Sequence, residues 1–247
     1  MVSSVILSGA MARLFESSAV IALDKPAGVS MATSTREEKS ATRAVAKLLE
    51  ACGEDPDEPL LLVHRLDVGT SGVVLLAKSD EAHRTLSRAF QSRVAKKTYR
   101  ALVWGHPVPA RGVYDDSLGR DPKDGRKMKV AKRSDDGKTA ITRYETLARL
   151  PSIGDLRLFP ETGRTHQIRV HLTAHGHPIV GDDLYGGATR WRGIRDPERR
   201  RALAAVSRPL LHAERIVIQE LGLDVSAPMP EDYAGALGAL TTRRTPP

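Results

Sequence analysis

A single cysteine, Cys52, stands in a chain of 247 residues, which excludes an intramolecular disulfide framework and a four-cysteine zinc site. Aromatic residues are few: three Phe, two Trp and five Tyr. No run approaches the roughly 20 apolar residues that a membrane-spanning helix needs. The opening Met1-Val2-Ser3-Ser4-Val5-Ile6-Leu7-Ser8-Gly9-Ala10 lacks a basic leader and has too short an apolar stretch for a signal peptide. A cytoplasmic protein is expected. The G-x-G-x-x-G fingerprint of a dinucleotide site is absent, and Gly119 to Lys127 has the charge of a P-loop without its spacing or its following Ser or Thr. No nucleotide cofactor is expected. What the chain does carry is positive charge, with 38 Lys and Arg against 30 Asp and Glu, a net +8. That balance suits a polyanionic partner, because Lys and Arg that neutralise phosphates release condensed counterions.

The length suits one large domain or two small ones, and neither an internal repeat nor a low-complexity linker divides it. Val20 to Leu23 reads as a strand closed by the turn Lys25-Pro26-Ala27-Gly28. Ala41 to Leu49 has a helical period, with Val45, Leu48 and Leu49 on one face. Leu60 to Val63 and Val73 to Ala77 read as buried strands around a polar, glycine-punctuated segment. Ser79 is placed to cap a helix with Asp80 and Glu81 in its first turn and Leu86, Ala89 and Phe90 on its inner face. Thr98 to Trp104, Thr139 to Leu147, Asp155 to Phe159 and Leu210 to Ile218 are further strands. Several strands follow one another without a helix between them. The expected fold is therefore α+β, a mixed and largely antiparallel sheet with flanking helices, not a doubly wound parallel one.

Two stretches concentrate positive charge. Residues 120–143 hold nine Lys or Arg against four Asp, and residues 190–201 hold six Arg against two acids. Either alone reads as a solvated surface loop; the two together on a basic chain point to a phosphate-facing groove. His166, His171, His175 and His177 also cluster. His171 and His175 would share a helix face, as metal ligands often do, yet Leu172-Thr173-Ala174 between them offers no glutamate base. A polar helix edge is the favoured reading, with no metal.

The chemistry concentrates in two segments. In Glu161-Thr162-Gly163-Arg164-Thr165-His166-Gln167-Ile168-Arg169-Val170-His171-Leu172, Thr165 is expected to cap a helix running to His175, with Gly176 just past its end. Ile168 and Leu172 anchor it, and its start, with Arg164 and Arg169, forms an anion site. In His64-Arg65-Leu66-Asp67, charged residues leave an apolar strand and are followed by Gly69-Thr70-Ser71-Gly72. A carboxylate at the edge of a core needs a cation or hydrogen-bond donors. Asp67 is either a structural turn-former or a nucleophile, since an ordinary carboxylate is charged at neutral pH and can form a covalent intermediate unaided. Spacing leaves both readings open.

His64-Arg65-Leu66-Asp67 with Thr70-Ser71-Gly72 and Ala77-Lys78 resembles the signature of RluA-type RNA pseudouridine synthases. The likeness continues in Lys25-Pro26-Ala27-Gly28, Lys97-Thr98-Tyr99-Arg100, Thr162 to His171, Gly176-His177-Pro178-Ile179-Val180-Gly181-Asp182 and Leu211-His212-Ala213. These blocks keep the family's order from about residue 20 to 220. The resemblance implies one catalytic domain, a bent, mostly antiparallel sheet crossed by a central RNA cleft, and no cofactor. About 19 residues precede the first core strand, too few for the S4 RNA-binding module of many members. The expected layout is thus an extension over 1–19, a catalytic domain over 20–225 and a C-terminal segment over 226–247.

Carried over by residue, the resemblance makes Asp67 the catalytic carboxylate, Tyr99 the aromatic against the target base and Arg169 the cation paired with Asp67. His64, Arg65, Thr70, Arg164, His166, Gln167 and Val170 would bind substrate or RNA, with Arg65 contacting the backbone or filling the vacated space and Val170 packing on the flipped ring. The implied reaction is isomerisation of uridine to pseudouridine, in ribosomal RNA in preference to tRNA because of Gly119-Arg120-Asp121-Pro122-Lys123. A monomer is the default, with no coiled-coil heptad present. The alternatives are a catalytically idle RNA-binding protein on the same scaffold and a metal-dependent phosphodiesterase built on the histidines.

Overall fold

The computed structural model describes residues 12–31, 40–55, 59–132 and 137–241. Eleven strands among them form one sheet: β1 (Arg13–Glu16), β2 (Val20–Lys25), β3 (Leu61–Leu62), β4 (Ser71–Ala77), β5 (Lys96–Trp104), β6 (Arg111–Arg120), β7 (Met128–Val130), β8 (Lys138–Leu150), β9 (Ile153–Pro160), β10 (Leu211–Ile218) and β11 (Leu223–Ser226). The helices are α1 (Ser40–Cys52), α2 (Asp80–Gln91), α3 (Gln167–Ala174), α4 (Pro197–Ala204) and α5 (Glu231–Thr241). None is long and apolar enough to cross a membrane.

Strand order is β1-β2-β4-β10-β5-β9-β8-β6-β7, with β11 beside β10 and β3 beside β4. Every pairing is antiparallel except β4 with β10. The mixed sheet is thus as expected. Its middle is unusual: β10, late in the chain, lies between β4 and β5 and joins two half-sheets built earlier. At this seam Gly72 has φ +114, and a Cβ there would lie 2.2 Å from the Ala213 carbonyl oxygen. Only glycine lets the two backbones approach so closely.

All seven residues of β4 are buried because helices cover both faces. Val73, Leu75 and Ala77 pack toward Leu86 and Ala89 of α2, whereas Val74 and Leu76 pack toward Val45 and Leu48 of α1. The Ser79 hydroxyl accepts the Ala82 N–H and caps α2 as expected. Strand β5 is sandwiched likewise: Ala101 and Val103 face Ile168 and Leu172 of α3, and Leu102 and Trp104 face Leu203, Tyr233 and Leu240 of α4 and α5.

Four details differ from the sequence-based expectations. The strand expected over 60–63 shrinks to the half-buried pair Leu61–Leu62. It stops because the His64 imidazole takes over: its Nε2 accepts the Leu75 N–H at 2.9 Å, where a strand carbonyl would otherwise sit. The basic stretch 120–143 is not a plain loop; it contains the end of β6, all of β7 and the start of β8, with 133–136 outside the described residues. Residues 190–201 form a 3₁₀ turn over Arg190–Gly193 and the first half of α4, capped by Asp196. Finally, packing crosses the boundaries drawn at 19 and 226. β1 pairs with β2, and Tyr233, Ala236 and Leu240 of α5 are buried in the core.

The His64 arrangement makes a testable prediction. The ring stacks on Phe90 at 4.6 Å, and burial pushes its pKa down to about 3 from 6.5. The unfolded chain takes up this proton near pH 6.5 while the native chain does not, so stability drains away as pH falls from 6.5 toward 3. Urea unfolding at stepped pH should show this loss. His64→Gln, which keeps an acceptor and does not titrate, should show a flatter dependence in that window.

Candidate functional site

Two loops and one strand face converge on a cleft of about 180 Å³ at the seam. The first loop, 63–70, connects β3 to β4. Its turn closes with Thr70 N–H on the Asp67 carbonyl at 3.0 Å. From beneath, the fully buried Lys25 donates Nζ protons to the carbonyls of Pro26 (2.8 Å), Thr70 (2.9 Å) and Val68 (3.4 Å). Burial lowers this amine to about 8. Gly28 N–H also bonds the Val68 carbonyl, at 2.7 Å. The loop that carries Asp67 is therefore clamped at its backbone and does not depend on side-chain packing alone.

The second loop, 161–166, connects β9 to α3. Its start is not the one Thr165 was expected to make. His166 occupies the cap position in left-handed conformation, φ 56, without a side-chain cap. The loop is held instead by Gln167, whose Oε1 accepts from Thr162 Oγ1 (2.6 Å) and Arg164 N–H (3.0 Å). Its Nε2 donates to the Ile141 carbonyl and Thr142 Oγ1, both at 2.9 Å. At the far end of α3, Gly176 adopts φ 87, as its position past the helix suggests. Strand β5 contributes Lys97 and Tyr99, two residues apart and so on one face.

Asp67, Tyr99, Arg169, Arg65, Thr70, Arg164, His166 and Gln167 all line this cleft. Two other residues named from sequence lie elsewhere. His64 is turned onto Phe90 and Leu75, and Val170 is buried with Leu118 and Ala140. Gln167 lines the cleft but spends its amide on the loop.

The electrostatic centre is a shared guanidinium. Arg169 Nη1 lies 3.4 Å from Asp67 Oδ2, while its Nε and Nη2 fork onto Asp182 at 2.7 and 2.9 Å. Asp182 is fully buried. Burial opposes charge on Arg169, but the Asp182 hydrogen bonds and the negative charges of Asp182 and Asp67 together outweigh it, so the guanidinium pKa is raised. The anion expected at the start of α3 is thus supplied by the protein's own carboxylates. Tyr185 supports the group from below, its ring 5.0 Å from the Arg169 guanidinium carbon. His166 Nε2 is 4.0 Å from Asp67 Oδ2, and its Nδ1 is 2.9 Å from the Tyr185 hydroxyl. Burial, and then the Asp67 charge, push the Tyr99 phenol up, so it stays protonated. Burial lowers Lys97 to about 8, and its Nζ donates to the Thr162 carbonyl at 3.1 Å.

Sequence reasoning passed over Lys97, Asp182 and Tyr185 as site residues. A signal existed for Asp182, an acid directly after Ile179-Val180-Gly181 that burial would oblige to find a cation. The remaining histidines have protein partners. His171 Nδ1 meets Thr142 Oγ1 at 2.9 Å, His175 Nε2 meets Asp116 at 2.9 Å, and His177 Nδ1 meets the Trp104 carbonyl at 3.1 Å. Among the described residues no group of three or more His, Cys, Asp or Glu is arranged to hold a metal.

Residues 19–174 match the family model of RNA pseudouridylate synthases. The chain is 39% identical over 183 residues to an uncharacterised RNA pseudouridine synthase of Mycobacterium bovis, covering 72% of this chain and 56% of that one. It is 44% identical over 157 residues to the dual-specificity RNA pseudouridine synthase RluA of Escherichia coli K12, covering 63% of this chain and 65% of that one. It therefore spans between half and two thirds of the length of these relatives. Among solved structures, the human RNA pseudouridylate synthase domain containing 4 superposes with a TM-score of 0.73 at 26% identity over 92% of each chain.

Proposed function

Because the chain belongs to the RNA pseudouridylate synthase family, we propose that it isomerises selected uridines in RNA to pseudouridine, with Asp67 as the reacting carboxylate. In that reaction the N1–C1′ bond breaks, the uracil turns, C5 bonds to C1′, the C5 proton leaves and N1 gains a proton. Nothing is oxidised and no group is transferred between molecules. The observation that carries the reading is the cleft itself, where a backbone-clamped Asp67 meets a guanidinium beside a half-buried phenol.

The target nucleotide leaves its stack to reach this carboxylate, at a cost of a few kcal/mol. Arg65, exposed at the rim, contacts the backbone or fills the vacated space. Tyr99 lies against the base, and as a protonated phenol it both donates and accepts, which suits the proton step at C5. Arg169 balances the charge on Asp67. Thr70 and Arg164 complete the wall around the nucleotide, and His166 lines the cleft beside Asp67. The basic segments 120–143 and 190–201 supply phosphate contacts that position the RNA without reading its sequence. Ribosomal RNA is favoured over tRNA on the Gly119-Arg120-Asp121-Pro122-Lys123 segment, which lies at the end of β6 and the turn beyond it.

The test is incubation of purified protein with unmodified large-subunit ribosomal RNA and, separately, tRNA transcripts, followed by nucleoside analysis. Pseudouridine is expected in at least one, with more in the ribosomal arm. Tight binding to both without conversion would identify an idle RNA-binding protein and overturn the reading.

A further inference from the structure

Asp67 presents its two oxygens to different surroundings. Arg169 Nη1 at 3.4 Å and His166 Nε2 at 4.0 Å both face Oδ2. Among the described residues no hydrogen bond or ion pair ends on Oδ1. The direction of the His166 contact depends on which ring nitrogen carries the proton, and Tyr185 bears on that choice. Its hydroxyl already accepts the Met128 N–H at 2.9 Å, so its single proton has two acceptors: His166 Nδ1 at 2.9 Å or the Met128 carbonyl at 3.3 Å. The shorter contact is the better hydrogen bond. It leaves Nδ1 unprotonated and puts the imidazole proton on Nε2, where it faces a carboxylate. The opposite tautomer would aim a lone pair at Oδ2 and press a second N–H onto the Tyr185 oxygen.

We propose that Tyr185 fixes His166 as the Nε2–H tautomer, so that His166 and Arg169 together hold Oδ2 and leave Oδ1 as the oxygen that reacts with the target nucleotide. The inference rests on the proposed pseudouridine synthase activity. His166 and Tyr185 are positioning residues: they act through Asp67. Burial lowers the His166 pKa against the opposing pull of Asp67, which agrees with a neutral ring. Five groups surround this imidazole: Asp67 and Arg65 on the β3–β4 loop, Arg169 on α3, and Tyr185 and Asp182 on the segment after α3.

The left-handed backbone at His166 supplies a discriminating pair of variants. Asparagine tolerates that conformation well, but its amide reaches only to the position of Nδ1. Glutamine tolerates it less well, yet its amide nitrogen takes the place of Nε2. If His166 merely shapes the backbone, His166→Asn should be the better enzyme; if it presents a donor to Asp67, His166→Gln should be.

The experiment has two arms. ¹⁵N-histidine NMR of the free protein, with the His166 signals assigned by their loss in His166→Asn, reads the tautomer without any RNA. Wild type should show a protonated Nε2 and a bare Nδ1, and Tyr185→Phe should mix the two forms. Steady-state pseudouridine formation is the second arm. Tyr185→Phe and His166→Asn should lower kcat about tenfold with KM nearly unchanged, as the loss of one orienting polar contact implies, while His166→Gln keeps most of the rate. A proton on Nδ1 in wild type, an unchanged kcat in Tyr185→Phe, or His166→Asn outperforming His166→Gln would each overturn the assignment. The NMR arm decides the tautomer whether or not the chain acts on RNA.

Discussion

Asp67→Asn should fold, bind RNA with near wild-type affinity and form pseudouridine on the order of 10⁴-fold more slowly, the scale seen when a reacting side chain is removed from an otherwise intact site. The substitution is nearly isosteric. The amide oxygen can still face Arg169 Nη1, and Arg169 keeps its fork on Asp182 at 2.7 and 2.9 Å. Neither loop anchor uses the Asp67 side chain: Lys25 grips carbonyls and Thr70 bonds the Asp67 main chain. The lost ion pair is long, and Arg169 keeps its closer carboxylate partner Asp182, so folding stability should change little. Thermal unfolding and filter binding, measured beside the rate of pseudouridine formation, separate these effects. A variant purified free of host enzyme that still converts uridine within tenfold of wild type would remove Asp67 from the chemistry.

Gly72→Ala should cause a large loss of stability for a single added methyl. Its φ of +114 suits an L-residue poorly, and the added carbon would lie 2.2 Å from the Ala213 carbonyl oxygen and 2.7 Å from its carbon. The atoms in the way are backbone, so no side chain can swing aside. Backbone strain of about 1–3 kcal/mol and overpacking of a similar size add to a loss of roughly 2–6 kcal/mol, and Tm should fall by on the order of 10 °C. Gly235→Ala is the control. It sits in α5 with nothing within 4 Å of its would-be Cβ, and there the same methyl should stabilise by about 0.5–1 kcal/mol. Equal behaviour of the two variants would show that the seam tolerates separation.

What could be read in the sequence followed from how locally each feature is determined. The α2 helix was legible because Ser79, Asp80 and Glu81 announce a start and Leu86 and Ala89 mark the inner face. The two-sided burial of β4 was legible in an unbroken apolar run. Strands β6 and β7 were not, because an edge such as Met128-Lys129-Val130 carries the same charge that marks a solvated loop. The start of α3 was misread for another reason. A Thr ahead of a helical run satisfies the usual capping pattern, but Gln167 captures the hydrogen bonds of that loop through residues 25 and 26 positions away. Long-range partners also governed the site. The closeness of Asp67 to Arg169, 102 residues apart, was available only through family resemblance, and the fork from Arg169 to Asp182 only from the coordinates. His64, which looked like part of the RNA-facing signature, is a surrogate for a strand carbonyl.

The place of β10 in the sheet has a consequence for biosynthesis. A ribosome delivers residue 67 and residue 169 well before residues 211–218 emerge, yet among the described residues the half-sheet that carries Asp67 joins the half bearing Tyr99 through that late strand. Asp67 and Arg169 therefore exist on the nascent polypeptide before the cleft they line does. Translation must pass residue 218 before the proposed active site can form, so RNA near the nascent chain, the ribosome's own included, meets no assembled cleft until then.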